Sequence, residues 1–284
     1  MGYLFTQLAR YSEAAIMSTG AHLAVAVTNI FFLGIPVMST LAAYTLVITQ
    51  NKGIPLIWSL FLSLFSVLLT SLIFVLAYLK LSADSFTVFT LASVLAFDAV
   101  LKSWDSVTGG VLGIAGIIRP NFILTLSRLA WFQFGLTLIV LLAEYIILKT
   151  WLGRALLGMK ENKYIVESSG ISTKRLGAAV IIISSFFAAL AGIVTVWRIQ
   201  FLDPGFGGLV LLIQIMTIAV VAAKPKIRWL AISTLIIVLL PEILRLLNLP
   251  PTIIGHLRNL LYALILLIII RKISSNLLPQ KRFI

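Results

Sequence analysis

The stretch 55–79, PLIWSLFLSLFSVLLTSLIFVLAYL, contains no charged side chain. A helix needs about 20 predominantly apolar residues to cross the hydrocarbon core of a bilayer. Comparable apolar stretches occupy 86–103, 122–149, 176–198, 206–223, 229–247 and 257–270. The sequence therefore predicts an all-α, polytopic integral membrane helical bundle, because a helix satisfies its own backbone groups where lipid offers them no partner.

Two regions interrupt this pattern of long apolar stretches. The first, 11–49, is apolar but brings Asn, Gly and Pro close together at 29–36, so it is either two crossings or one crossing plus a broken helix. The second, 106–118, is apolar but too short to span a bilayer. The sequence predicts a single transmembrane domain over residues 1–284, with about eight or nine crossings.

The composition excludes several classes of protein. Hydrophobic residues make up 61% of the chain and charged residues 11%, against about 45–50% and about 25% in soluble domains, so a soluble enzyme is excluded. The absence of cysteine excludes disulfides, thiolate metal sites and cysteine nucleophiles. No phosphate-binding loop of the Gly-x-x-x-x-Gly-Lys-Ser/Thr type occurs, so nothing predicts ATP binding by this chain in that manner. We expect no catalytic residues, no metal site and no bound cofactor.

The net charge of +13 comes from 22 basic and 9 acidic residues. The basic residues lie in short clusters between apolar runs, which favours loops at a membrane surface over nucleic-acid binding. One set would share a side of the membrane: Lys80, Lys149, Arg154, Lys160, Lys163, Lys174, Arg175, Lys224, Lys226, Arg228, Arg271, Lys272, Lys281 and Arg282. This side and the C-terminus are predicted to be cytoplasmic. Lys52, Arg119, Arg198 and Arg258 would lie on the other side, and the side of the N-terminus stays open.

Ionisable residues within the predicted spans need a separate interpretation, because such residues often mark transport pathways. Asp98 and Lys102 stand four residues apart, and Glu242 and Arg245 three apart, so each pair can neutralise itself. Glu144 lies near enough to the span end to reach the interface. His22 and His256 are interpreted as single polar residues near interfaces. The alternative is an ion-coupled secondary transporter or channel that uses one of the three carboxylates.

The segment 103–121, SWDSVTGGVLGIAGIIRPN, is rich in glycine. Four glycines make a poor helix interior, and irregular backbone at membrane depth is tolerated where it is buried in protein or lines a wet cavity. The segment is therefore either a re-entrant segment beside a pathway or a place where small residues allow close helix packing.

The loop at about 150–175 combines apolar and charged residues at helical spacing. Apolar positions between Leu152 and Ser169 alternate with charges of both signs, which predicts a short amphipathic helix that ends at Gly170. Ser172 or Thr173 would then cap the next span. Mixed charges favour docking to a soluble partner over lying on the lipid surface.

Several groups of residues resemble one family in their order along the chain. They are Leu33-Gly34, Ala42-Ala43-Tyr44-Thr45, Lys80-Leu81, Trp104-Asp105-Ser106-Val107-Thr108-Gly109-Gly110, Gly153-Arg154-Ala155, Lys160-Glu161-Asn162, Glu167-Ser168-Ser169-Gly170-Ile171, Asp203-Pro204 and Leu239-Leu240-Pro241-Glu242. Over roughly residues 15–270 the chain resembles the permease subunits of branched-chain amino acid ABC importers. The sequence departs from the family pattern at Phe32-Leu33-Gly34-Ile35-Pro36 and at Ala222-Ala223-Lys224-Pro225-Lys226.

The resemblance implies a multi-pass permease of a bacterial or archaeal plasma membrane, with a short cytoplasmic coupling helix and no chemistry of its own. It implies two ATPase subunits, a second permease, identical or paralogous, and a substrate-binding protein outside. The residues predicted to couple to the ATPase are Arg154, Glu161, Asn162, Glu167 and Gly170. Those predicted to line the pathway are Gly34, Pro36, Thr108, Gly109, Gly110 and Gly113. Branched-chain or related amino acids are the expected substrates, with urea, sugars or nucleosides as alternatives.

Overall fold

The structure, a computed structural model, describes residues 2–222, 224–245 and 251–277. Helices dominate this part of the chain. Their bounds are α1 Gly2–Ala21, α2 Ile35–Asn51, α3 Leu56–Lys80, α4 Ala83–Ser103, α5 Asp105–Thr108, α6 Leu126–Lys149, α7 Trp151–Glu161, α8 Lys163–Ser168, α9 Thr173–Ile199, α10 Leu209–Ala222, α11 Ile227–Arg245 and α12 Pro251–Leu277. Two strands of two residues each, β1 Ile114–Ala115 and β2 Phe201–Leu202, form an antiparallel pair.

Six helical stretches in the described residues are long and apolar enough to cross a bilayer. They are Leu56–Lys80, Ala83–Ser103, Leu126–Lys149, Thr173–Ile199, Pro204–Ala222 and Ile227–Leu244. They coincide with six of the seven stretches predicted from hydropathy. The seventh, 257–270, lies within α12, whose described apolar part is Leu257–Ile268. The prediction of an all-α, multi-pass membrane protein is confirmed.

The ambiguous region 11–49 forms two helices with a break between them. α1 continues into a π-helical segment, His22–Val27, and then stops. Residues 29–34 are not helical, and Asn29 has a positive φ of 58°. α2 begins at Ile35 with Pro36 in its first turn, where the missing N–H of proline removes no helical hydrogen bond. The Asn, Gly and Pro residues thus mark a true interruption of the helix.

The basic clusters meet at one end of the molecule, which we call the basic end. A cavity there is lined by Lys80, Lys160, Lys163 and Lys174. Lys224 joins the same end, because its carbonyl oxygen contacts His22 at the start of the π-helical segment. Lys281 and Arg282 lie outside the described residues.

The isolated basic residues meet at the opposite end. Arg119 donates from Nη2 to the carbonyl oxygen of Arg198 over 3.0 Å, and Arg198 and Arg258 line one cavity. Lys52 follows α2 beside a second cavity, whose wall includes Arg119. The basic residues located in this way therefore separate into the two groups predicted from the sequence.

The centre of the bundle is held by close approach of α1, α2 and α9. A methyl group in place of the Gly20 hydrogen would lie 2.7 Å from the carbonyl oxygen of Ser184. Gly192 of α9 lies against the backbone of Ser39 in α2 in the same way. Small residues allow helix axes to approach where lipid provides no hydrophobic driving force, so these contacts fix the frame on which both ends are built.

Candidate functional site

The loop at the basic end folds into two short helices. α7 covers Trp151–Glu161 and α8 covers Lys163–Ser168, with Asn162 between them. The sequence predicts one amphipathic helix over this stretch, and the structure divides it because Asn162 adopts an extended conformation. The Asn162 side-chain oxygen accepts a 3.0 Å hydrogen bond from the backbone N–H of Tyr164 and so caps α8.

The other polar residues predicted in this loop hold α8 against the start of α9. Glu167 accepts a short hydrogen bond from the hydroxyl of Thr173. Gly170, with a positive φ of 80°, ends the turn after α8, as its position in the sequence predicts. Ser172 caps α9 by accepting from the backbone N–H of Arg175. The predicted cap is therefore present, and the loop is firmly joined to the next membrane helix.

The outer face of this loop is open. Arg154 and Glu161 are both exposed. Between the charges, Tyr164 is 70% exposed and Ile165 is 63% exposed. An aromatic and an aliphatic side chain among mixed charges resemble the anchors and rim of a protein interface more than an ordinary solvated surface.

Lys160 makes a contact that the sequence analysis did not predict. Its Nζ donates a 2.6 Å hydrogen bond to the carbonyl oxygen of Ala26, in the π-helical segment. Burial lowers the pKa of Lys160. The sequence holds a signal for this contact, because Lys160 stands four residues after the fully buried Leu156 and therefore lies on the inner face of α7.

The glycine-rich segment at the opposite end is a chain of tight turns. Positive φ angles occur at Gly109, Gly110 and Gly113, which are 74°, 53° and 69°. Thr108 is buried, and its hydroxyl donates to the carbonyl oxygens of Leu101 and Trp104. Non-glycine residues rarely adopt such φ values, so the glycines are required by the turns and the segment is not a continuous helix.

Two of the residues predicted to line the pathway, Gly113 and Pro36, lie against the segment 201–207. Gly113 packs on the backbone of Leu202 and Asp203, and β1 pairs with β2 beside it. Pro36, in α2, lies against Gly207: a methyl group added to Gly207 would be 2.9 Å from the carbonyl oxygen of Pro36. Gly34 is less close to this point, since its neighbours are the rings of Phe32 and Phe74.

A family described as the permease component of branched-chain amino acid transport systems matches residues 3–270. The chain belongs to this family. The resemblance seen in the sequence over 15–270 is therefore confirmed. No curated protein and no solved structure matches the chain. As a permease component, the protein is a multi-pass membrane transport subunit rather than a catalytic one.

The permease buries a histidine and a carboxylate against each other. His22 Nδ1 and Glu144 Oε1 are 2.6 Å apart, and both side chains are fully buried. His22 Nε2 also contacts the carbonyl oxygen of Lys224 at 3.0 Å. The interpretation of His22 as a single polar residue, and of Glu144 as a side chain that reaches outward, is wrong, because each supplies the other with a buried polar partner. Ala223, part of the departure at 222–226, lies outside the described residues.

Three more carboxylates of the permease, those of Asp98, Glu242 and Glu13, also have partners. Lys102 Nζ and Asp98 Oδ2 are 2.5 Å apart, as predicted from their spacing. Glu242 accepts hydrogen bonds from Gln7 and Arg10. Glu13, which the sequence analysis did not single out, pairs with Arg198 across 185 positions of sequence. The three carboxylates considered for ion coupling, at 98, 144 and 242, are thus all engaged with other side chains.

Proposed function

We propose that this permease is the transmembrane subunit of an ABC importer that carries branched-chain or related amino acids inward. Separate ATPase subunits would hydrolyse ATP, and closure of the ATPases would move α7 and α8. The bundle would then switch between inward-open and outward-open states, which is a rigid-body transition biased by ligand and nucleotide. The chain itself would contribute binding surfaces and no catalytic group.

The exposed face of α7 and α8 carries this proposal. Tyr164 and Ile165 are too exposed to contribute to the permease core, and they lie among Arg154, Glu161 and Glu167. A soluble ATPase with a complementary groove would cover the apolar pair and match the charges. Two hydrogen bonds would carry the movement of the ATPase into the bundle: the one that Thr173 donates to Glu167 and the one that Lys160 donates to Ala26.

The two ends of the fold would face different compartments and different partner proteins. The basic end, with the C-terminus, would face the cytoplasm of a bacterial or archaeal cell, in line with the positive-inside rule. About eight or nine helices would then cross the membrane. The opposite end would receive an external substrate-binding protein. A second permease, identical or paralogous, would complete the pathway beside a re-entrant segment within 103–121.

The decisive test is assembly with the cognate ATPase subunit. Exchanging Glu161→Arg together with Glu167→Arg is expected to abolish co-purification of the ATPase and leave membrane insertion intact. The matched control is Asn51→Arg with Asn121→Arg, which adds positive charge at exposed positions of the opposite end and should leave co-purification unchanged. Undiminished ATPase binding by the double glutamate variant would contradict the docking role.

Uptake by reconstituted vesicles separates this function from ion coupling. Leucine uptake should require ATP, the ATPase and the binding protein, and should persist when ion gradients are collapsed. Uptake by the permease alone that stops when the gradient is collapsed would establish a secondary transporter instead.

A further inference from the structure

The cavity that Arg198 and Arg258 line lies at the opposite end of the fold. It has a volume of about 830 Å³ and is bounded by α1, α9, α10, α11 and α12. Small-molecule sites typically occupy about 300–1,000 Å³. Asp203, Gly205 and Phe206 form one wall, on the segment that packs against Gly113. The cavity therefore adjoins the residues predicted to line the pathway but is distinct from them.

The walls of this cavity carry three positive and three negative side chains. These are Arg10, Glu13, Arg198, Asp203, Glu242 and Arg258. Four of the six neutralise each other. Arg198 donates from Nε and Nη2 to the two carboxylate oxygens of Glu13, at 2.6 and 2.8 Å. Arg10 Nη1 lies 3.2 Å from Glu242 Oε1.

The two remaining charges have opposite signs. The guanidinium of Arg258 makes a 3.4 Å hydrogen bond from Nε to Asn259, and no other acceptor within the described residues takes its terminal N–H groups. The carboxylate of Asp203 has no ion-pair partner in the same part of the chain. A partly enclosed cavity thus presents one uncompensated cation and one uncompensated anion.

The rest of the cavity wall is apolar. Met17, Leu211, Ile215, Ile218 and Val238 line it. Removing a hydrocarbon side chain from water against such a wall is favourable. A ligand with a single charge would pair with only one of these two residues. Arg258 is half-buried and Asp203 is exposed, so the loss of water without a charged partner would be costly mainly at Arg258. A ligand that carries a negative charge, a positive charge and an apolar group can contact Arg258, Asp203 and the apolar wall at the same time.

We propose that this cavity binds a small zwitterion with an apolar side chain, with Arg258 contacting its carboxylate and Asp203 contacting its ammonium group. This site rests on the proposed function and locates a substrate contact inside a single permease chain. Asp203, on the wall of this cavity, also packs against Gly113.

Equilibrium binding of radiolabelled L-leucine to the purified chain tests the proposal, in nanodiscs of phosphatidylcholine and phosphatidylglycerol. Competition with 3-methylbutylamine, which lacks the carboxylate, and with 4-methyl-2-oxopentanoate, which lacks the ammonium group, assigns the contacts. Arg258→Gln should weaken leucine binding roughly tenfold and leave the affinity for the amine unchanged. Asp203→Asn should weaken leucine binding similarly and leave the affinity for the oxo acid unchanged.

Two matched variants control for the loss of charge. Arg128→Gln and Asp84→Asn each remove one exposed charge outside the cavity, and leucine affinity should not change. The selectivity between the two competitors does not depend on how much protein is folded, so it remains informative if a variant expresses poorly.

Three results would overturn the proposal. They are absence of saturable leucine binding to the wild-type chain, wild-type affinity in both cavity variants, and equal loss of both analogues in each variant. Phosphatidylethanolamine that co-purifies from cells through Arg258 and Asp203, without leucine binding, would assign the cavity to a lipid headgroup instead. ATP-driven uptake that persists in any of these cases would show that the proposed function stands and that only this site is wrong.

Discussion

The Nζ atom of Lys160 lies 2.6 Å from the carbonyl oxygen of Ala26, and this bond joins two segments 134 positions apart in sequence. Ala26 belongs to the π-helical segment at the end of α1. π-helical turns change the hydrogen-bonding register of the backbone and often occur at functional positions. Lys160 thereby connects the loop that we propose as the ATPase docking surface directly to the first helix of the bundle.

Replacing Lys160→Met keeps the length of the side chain and removes the donor. We expect ATPase co-purification to be retained and the amount of leucine transported per ATP hydrolysed to fall at least about fivefold, because the coupling between docking loop and α1 is weakened. Lys174→Met, at an exposed lysine of the same end, is the control and should transport normally. A wild-type ratio of transport to hydrolysis in Lys160→Met would show that movement enters the bundle elsewhere.

The pair formed by His22 and Glu144 predicts an unusual pattern of stability. His22→Leu leaves a carboxylate buried without its partner and should destabilise the protein by about 3 kcal/mol or more. Combining His22→Leu with Glu144→Leu should restore most of that loss, because a well-packed apolar pair replaces a buried polar one at little cost. Thermal unfolding of the purified protein in detergent measures both effects.

The exposed pair of Asp98 and Lys102 provides the comparison for this experiment. Lys102 is 48% exposed, and breaking such a pair with Lys102→Met should cost less than about 1 kcal/mol. If the double leucine variant were no more stable than His22→Leu alone, the pair would have a role that packing cannot replace.

A comparison of alanine substitutions at Gly113 and Gly116 separates the effect of a positive φ from the effect of close packing. Both have positive φ, 69° and 76°, so alanine should cost roughly 1–2 kcal/mol at either position. Only Gly113 also packs on the backbone of Leu202, whereas no atom lies within 4 Å of a methyl group at Gly116. Gly113→Ala should therefore reduce leucine uptake much more than Gly116→Ala. Equal uptake by the two variants would show that the contact with the segment 201–207 is not needed for transport.

The spans and the two charged ends could be predicted from the sequence because hydropathy and charge are local properties of the chain. The stretch 55–79 needs no knowledge of its neighbours to be recognised as a membrane helix, and the same holds for the basic loop residues. The break at 29–36 is also visible locally, since Asn, Gly and Pro disfavour a continuous helix. Local signals do not decide whether the chain forms a second helix after this break, and the structure shows that it does, from Ile35 to Asn51.

Contacts between distant residues are not encoded in any local pattern. Glu13 meets Arg198 across 185 positions and His22 meets Glu144 across 122, so neither pair has a recognisable spacing. Asp98 and Lys102 could be paired from sequence because they occupy successive turns of one helix. The division of the loop at Asn162 was missed for a related reason, because the hydrophobic period is the same in one helix and in two short helices placed end to end.

The pairing of β1 with β2 constrains how the opposite end can open. The connections that follow α4 and α9 are joined there by the two-residue ladder and by Arg119, which donates to the carbonyl oxygens of Trp197 and Arg198. We therefore expect these two connections to move together when the opposite end opens. We expect residues 29–34, which are not helical, to absorb the change in angle between α1 and α2 during such a motion.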